Sequence, residues 1–221
     1  NDTDRINQTM ILNFSSDYVI VTGEFSKKQF ALGHVPESSI RVLGSWRTIH
    51  DYREKFVNAF ALFLDCPTMP KANKNNRVLI SLAEQLAHQM NCKFKIRLHP
   101  QDARENYKDI CLQQGYFLSK DKTIRETLEN TRFALLHSSG VYLDILAYGI
   151  KSFCLVNSSD LNLVEFDLDK FSNMEELLVK MDRWQKLPFT DRKIYMQKVV
   201  DYYLSPTDSK ERHKKFIKEL M

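Results

Sequence analysis

No C-x-x-C pair occurs among the four cysteines, Cys66, Cys92, Cys111 and Cys154, which argues against a redox dithiol or a ribbon-type zinc site. Three of the four lie beside or inside apolar runs, so they read as buried reduced thiols, as suits a cytoplasmic protein. No apolar run approaches the roughly 20 residues that a membrane-spanning helix needs, and no signal peptide is recognisable. Charge of one sign is not in excess either: 32 Lys and Arg against 28 Asp and Glu give a formal net charge of +4. The cations are spread along the chain, which weakly favours anionic ligands or membrane surfaces and argues against a nucleic-acid partner. Internal repeats and low-complexity tracts are absent, and no Cys/His cluster has metal-ligand spacing. The Asp167-Leu168-Asp169 pair reads as loop carboxylates, so no metal is expected. The chain opens on Asn1 rather than Met, and an upstream segment is therefore expected.

What is present is a core: 43% of the 221 residues are hydrophobic, enough for one large domain or one domain with an appendage. Residues 2–14 read as a helix. Strands are expected over 17–23, 39–44, 60–65, 94–98, 115–118, 132–136 and 151–156, with helices over 25–32, 77–90, 107–113, 123–130 and 141–148 between them. Pro67 to Asn76 reads as a loop. After 170 the pattern is helical, over 171–184, 190–204 and 209–220. Strands alternating with helices point to an α/β fold, a Rossmann-like parallel sheet with helices on both faces and a helical carboxyl-terminal segment. The expected domains are 1–58, a linker with the remainder of an amino-terminal Rossmann-like domain, 59–187, a nucleotide-sugar-binding domain, and 188–221, carboxyl-terminal helices.

Ligands of such sheets bind at the carboxyl ends of the strands, where Thr22, Asp65, His99, Ser138 and Ser139 fall. The run Leu135 to Gly149 organises the reading. An apolar strand leads into His137-Ser138-Ser139-Gly140, and Val141, Ile145 and Tyr148 then recur at helical spacing until Gly149 stops the helix. Free N–H groups and the positive dipole end at such a helix start hold an anion, and Gly140 permits close approach. The plainer reading is that Ser138 or Ser139 caps the helix. His99, fixed by Pro100, has the chemistry to donate a hydrogen bond to a phosphate or to protonate a leaving one; otherwise it is a surface histidine before a loop. Arg97 adds charge there or is an exposed strand cation. Glu126 suits both hydroxyls of a ribose, or pairs with Lys122. Asp144, on the helix that follows, faces the site or favours the helix dipole, and Asp65 and His137 rank below His99.

The combination Ile96-Arg97-Leu98-His99-Pro100, Thr123-Ile124-Arg125-Glu126 and Leu136-His137-Ser138-Ser139-Gly140-Val141-Tyr142-Leu143-Asp144 resembles the carboxyl-terminal half of bacterial GT-B glycosyltransferases. The sialyltransferases and polysialyltransferases with His-Pro and Ser-Ser motifs are the most similar, and teichoic-acid glycerophosphotransferases and Kdo transferases share a related arrangement. The resemblance implies a metal-independent transfer, without cofactor, of a sugar such as sialic acid from a CMP-activated donor to a surface glycan or glycolipid. It gives His99 the catalytic role on the donor phosphate. Ser138, Ser139 and Gly140 hold that phosphate, Glu126 the ribose, and Arg97 and Pro100 complete the donor site. The acidic-acidic-Gly motif that carries the general base in that family does not occur in this sequence. A sugar-nucleotide epimerase, a CDP-glycerol-type transferase and a non-catalytic nucleotide-binding module are the alternatives.

Lys210, Arg212, Lys214, Lys215 and Lys218, with Phe216, Ile217 and Leu220, form a basic amphipathic stretch. It suits peripheral contact with the inner face of an anionic membrane, or packing on its own domain. A homodimer is compatible with the sequence.

Overall fold

The computed structural model describes residues 16–67, 72–107, 117–137, 140–156 and 164–221. The expected helix over 2–14, most of the one over 107–113, and Ser138 and Ser139 lie outside the described residues. The chain divides into two compact units, one formed by the residues up to His50 with Ile194–Met221, the other by Asp51–Lys193.

In the first unit β1 (Val19–Val21) and β2 (Ile40–Val42) pair in parallel, connected through α1 (Glu24–Leu32). Val19, Val21 and Ile40 are buried and Phe30, Ala31, Val35 and Val42 pack against them. This unit also holds α6 (Phe189–Leu204) from Ile194 onward and α7 (Ser209–Leu220), in which Val199, Val200, Tyr203, Leu204 and Phe216 are buried. Thr22 Oγ1 donates to the carbonyl of Tyr203 at 3.0 Å, and Gly23 lies so close that an added Cβ would stand 2.4 Å from the carbonyl oxygen of Tyr202. Phe216 of α7 meets Tyr18 edge to face, 5.4 Å between ring centres. One side of the basic stretch thus packs on its own unit.

The second unit is a parallel sheet in the order β5-β4-β3-β6-β7-β8. Its strands are β3 (Ala59–Phe63), β4 (Lys93–Arg97), β5 (Phe117–Leu118), β6 (Ala134–His137), β7 (Ser152–Leu155) and β8 (Lys170–Phe171). Central strands covered on both faces need continuous apolar sequence, and Phe60, Ala61, Leu62 and Phe63 of β3 and Ala134, Leu135 and Leu136 of β6 are all buried. Phe60 stacks between Phe94 and Phe133, with centroids 5.2 and 4.9 Å away. The helices are α2 (Ala72–Met90), α3 (Ile124–Glu129), α4 (Val141–Ala147) and α5 (Met174–Lys186). From β3 the chain winds outward through α2 to β4; from β6 it winds the other way through α4 to β7. Right-handed crossovers in opposite directions put helices on both faces and make the β3/β6 boundary the topological switch point.

Three local expectations are corrected. Residues 72–76 belong to α2 rather than to the Pro67–Asn76 loop; Asn75 and Asn76 are weak helix formers, and their tertiary hydrogen bonds override that preference. Lys170 and Phe171 form β8, a strand too short to show a period, where the sequence reads Phe171 as the start of a helix. Asp169 is no loop carboxylate but is buried in an ion pair with Lys151, and its Oδ2 accepts from Tyr142 Oη at 2.6 Å. Among the described residues no group of three or more His, Cys, Asp or Glu could hold a metal ion.

Candidate functional site at the sheet's carboxyl edge

β6 ends at His137, and Asp65 stands two residues beyond the end of the adjacent strand β3. His137 follows directly from the buried run of β6, and both side chains are buried. His137 Nδ1 lies 2.8 Å from Asp65 Oδ2, and Asn75 Nδ2 lies 3.4 Å from His137 Nε2. With the proton on Nδ1 donated to the carboxylate, Nε2 faces the Asn75 amide as an acceptor, so the ring is fixed on both sides. Asn76 fixes the strand end beneath it. Its Oδ1 accepts from the Asp65 N–H at 2.9 Å and its Nδ2 donates to the Asp65 carbonyl at 3.2 Å. The same amide reaches Tyr107 Oη at 3.3 Å, and Tyr107 donates to Asp102 Oδ2 at 2.7 Å. Burial, reinforced by that bond to Asp102, pushes the Tyr107 phenol up to about 12. A polar network therefore runs behind the ends of β3 and β6 and reaches the loop that follows β4.

His99 stands on that loop, half-buried, two residues beyond β4. Its carbonyl accepts from Asp102 N at 2.9 Å, closing a turn through Pro100, and its Nδ1 accepts from Gln101 N at 3.3 Å. That backbone bond leaves the neutral ring's proton on Nε2. Cys66, just after β3, is 3.0 Å from Gln101 Oε1 and ties the two loops together. The end of β4 is thus separated from that of β6 by β3 alone. Ser138 and Ser139, which follow β6, lie outside the described residues. Gly140 is the N-cap of α4, in place of the expected serine, and an added Cβ there would meet nothing within 4 Å. Gly149, at φ 68°, ends the helix as expected.

Arg97 and Glu126 come together elsewhere on the edge, at the start of α3. The Arg97 guanidinium donates to the carbonyls of Asp121 at 3.0 Å and Thr123 at 3.1 Å, and to Thr127 Oγ1 at 3.0 Å. Thr123 Oγ1 caps the Glu126 N–H at 3.1 Å, while Glu126 Oε2 accepts from Lys122 N at 2.8 Å. Thr123 thus caps the helix while Glu126 reaches back to the residue before the cap, and Arg97 staples β4 to the turn that presents Glu126. Burial lowers the Arg97 pKa, and the neighbouring Asp121 and Glu126 charges oppose the shift.

Solved structures share this fold. Methanocaldococcus jannaschii UDP-GlcNAc 2-epimerase, in complex with UDP-GlcNAc and UDP, is 14% identical with a TM-score of 0.61, over 92% of this chain and 61% of that one. An S. aureus MnaA–UDP structure is 12% identical with a TM-score of 0.60, over 93% of this chain and 61% of that one. The chain thus spans about three fifths of the length of both. No protein-family model matches the sequence, and no curated protein matches it. The likeness bears out the Rossmann-like, GT-B-type architecture and lends nothing to the sialyltransferase branch of the resemblance.

Sequence reasoning ranked Asp65 and His137 below His99 and did not name Asn75, Asn76, Tyr107 or Asp102 for the site; the structure joins these six residues in one hydrogen-bonded network. The signal that finds the pair is strand order: two polar residues ending separate apolar runs mean little until those runs are neighbours at a switch point.

Proposed function

We propose that this chain is the nucleotide-holding part of a nucleotide-sugar enzyme, with a UDP-sugar ahead of the CMP-sialic acid that the sequence resemblance favours. The observation that carries the reading is the switch point itself. Among the described residues, strand order reverses between β3 and β6, and the polar network behind Asp65 and His137 stands at that place. The solved structures with this fold hold UDP or UDP-GlcNAc, which supports the alternative epimerase reading over sialyl transfer.

In glycosyl transfer the bond between the anomeric carbon and the phosphate oxygen breaks and the departing nucleotide gathers negative charge; an epimerase working by elimination breaks the same bond and re-forms it when the nucleotide adds back. Stabilising that charge is the share this chain takes. His99 donates Nε2–H to a phosphate oxygen, and the hydroxyls of Ser138 and Ser139 with the Gly140 N–H bind the same phosphate group. Glu126 holds the ribose hydroxyls with the part of its carboxylate not engaged by Lys122, and Arg97 acts on the ligand by fixing the turn that carries Glu126. Asp65, Asn75 and Asn76 keep His137 and the end of β6 in register with these groups. Chemistry on the sugar, whether epimerisation or transfer to a glycan or glycolipid, requires a base that this reading does not assign.

Calorimetric titration with UDP and with CMP tests the nucleotide. Tighter binding of UDP supports the epimerase-type reading. CMP preference restores the sialyltransferase branch, and absence of binding by either nucleotide removes the proposal.

A further inference from the structure

Tyr107 ends the short 3-10 turn Arg104–Tyr107 and is 4% exposed, so its phenol lies in the interior behind the end of β3. We propose that Tyr107 is a positioning residue for His99: through Asp102 on one side and Asn76 on the other, it ties the turn that carries the imidazole to α2 and the end of β3. The consequence for ligand binding rests on the nucleotide reading, whereas the tie itself rests on geometry alone.

The tie has a direction. A carboxylate only accepts, so at 2.7 Å the phenol proton of Tyr107 goes to Asp102 Oδ2. The Tyr107 oxygen is then the acceptor for Asn76 Nδ2 at 3.3 Å. That amide nitrogen also donates to the Asp65 carbonyl at 3.2 Å, while Asn76 Oδ1 accepts from the Asp65 N–H at 2.9 Å. Donors therefore point one way, from α2 through the phenol to the loop after β4, and one orientation of the fully buried Asn76 amide makes all of these bonds at once. A phenylalanine would fill the same space, so burial by itself does not call for the hydroxyl. Burial, with the bond to Asp102, pushes the phenol up to about 12, and at neutral pH its proton stays in the chain of bonds.

Asp102 carries the tie on to His99. Its Oδ1 accepts from Ala103 N at 2.9 Å and from Asn106 Nδ2 at 3.0 Å, so with Tyr107 three donors hold the carboxylate. Its own N–H donates to the His99 carbonyl at 2.9 Å and closes the turn from His99 through Pro100 and Gln101. Proline in the second position presets such a turn, and Gln101 N, inside it, donates to His99 Nδ1 at 3.3 Å. Where the ring stands, and which nitrogen it leaves to offer a proton, therefore follow from where Asp102 is anchored. The contact of Cys66 with Gln101 Oε1 joins the same two loops at the surface. The Tyr107 bonds lie in the interior, where water competes less, so they are the stronger tie.

Two variants break the tie in different ways. Tyr107→Phe keeps the ring and removes the hydroxyl; Asp102→Asn keeps the shape and leaves one of the three donors facing an N–H. Long-range proton–nitrogen NMR of the imidazoles reads His99 without any nucleotide, with His99→Ala assigning its signals. The parent should show the Nε2–H tautomer, and both variants should shift or broaden the His99 signals with circular dichroism unchanged. Calorimetric titration should show UDP binding roughly three- to tenfold weaker in both, the worth of one ordinary hydrogen bond. A cycle with His99→Ala separates positioning from general support of the fold: once His99 is absent, Tyr107→Phe should weaken UDP by less than about twofold. Equal weakening with and without His99 overturns the proposal. Unchanged His99 signals in both variants overturn it whether or not UDP binds. His99 signals that respond in a parent chain that binds no UDP leave the tie in place and remove the nucleotide reading.

Discussion

Replacing Asp169 by Asn should be among the most damaging conservative changes in the second unit. Lys151 and Asp169 are each 1% exposed and form a direct ion pair. The Lys151 ammonium also donates to the Leu168 carbonyl at 3.1 Å and faces the rings of Phe153 and Trp184 at 4.6 and 4.9 Å. Burial pushes its pKa down, and the Asp169 carboxylate is what opposes that shift. Removing one partner of a buried pair typically costs about 3 to 5 kcal/mol. A ceiling follows from proton loss: deprotonating an ordinary lysine at pH 7 costs about 4.6 kcal/mol, after which no charge is left buried. With an m-value of about 2 kcal/mol/M, the urea midpoint should fall by roughly 1.5 to 2.3 M. Trp184 emission in a Trp46→Phe background reads this unit directly. The double variant Lys151→Met, Asp169→Leu should recover most of the loss, because both charges leave together. A midpoint shift below about 0.5 M for Asp169→Asn, which at that m-value is less than the cost of one ordinary hydrogen bond, would refute the reasoning.

The carboxyl edge and the surface give further expectations. Burial works against the Asp121 carboxylate, but hydrogen bonds from Ser119 and Lys95 outweigh it and hold the pKa below the usual value. A depressed folded-state pKa contributes stability above about pH 4 that is lost as pH falls through the folded value, so acid unfolding of Asp121→Asn should be less steep than that of the parent. Asp65→Ala should leave the His137 N–H without its acceptor, costing about 1 to 3 kcal/mol in thermal or urea unfolding and weakening UDP by severalfold. Asp65→Asn, whose side-chain oxygen still accepts, should cost less; equal losses from both would count against a hydrogen-bond role. Ile217 and Leu220 of α7 are 55% and 57% exposed, while Phe216 is buried. Ile217→Ser with Leu220→Ser should therefore reduce sedimentation with anionic liposomes without unfolding the chain, and unchanged sedimentation would exclude these residues from membrane contact.

The legible part of the fold was whatever repeats at short range. The buried runs of β3, β6 and β7 and the amphipathic α2 and α5 declare themselves by apolar period, and Gly149 ends its helix for the steric reason read from the sequence. The illegible part depends on long-range pairing. Asn75 and Asn76 look like loop residues until the end of β3 supplies a peptide group for Asn76 to clamp. Asp169 looks like a surface carboxylate until Lys151, 18 positions earlier, is folded against it. The same holds at the candidate site. His99 stands out in sequence because Pro100 follows it, and the structure adds which of its ring nitrogens is engaged. Arg97 and Glu126, three residues from Thr123 in the latter case, show their mutual placement only once β4 and the 121–127 turn are adjacent.

The central claim is that a nucleotide phosphate binds where β4 and β6 flank the end of β3. Isothermal titration of UDP into the parent chain and into His99→Ala tests it most directly. Loss of one charge-assisted hydrogen bond, about 1.5 to 3 kcal/mol, predicts roughly ten- to a hundredfold weaker binding with an unchanged circular dichroism spectrum. A His99→Ala variant that binds UDP as tightly as the parent would contradict the account.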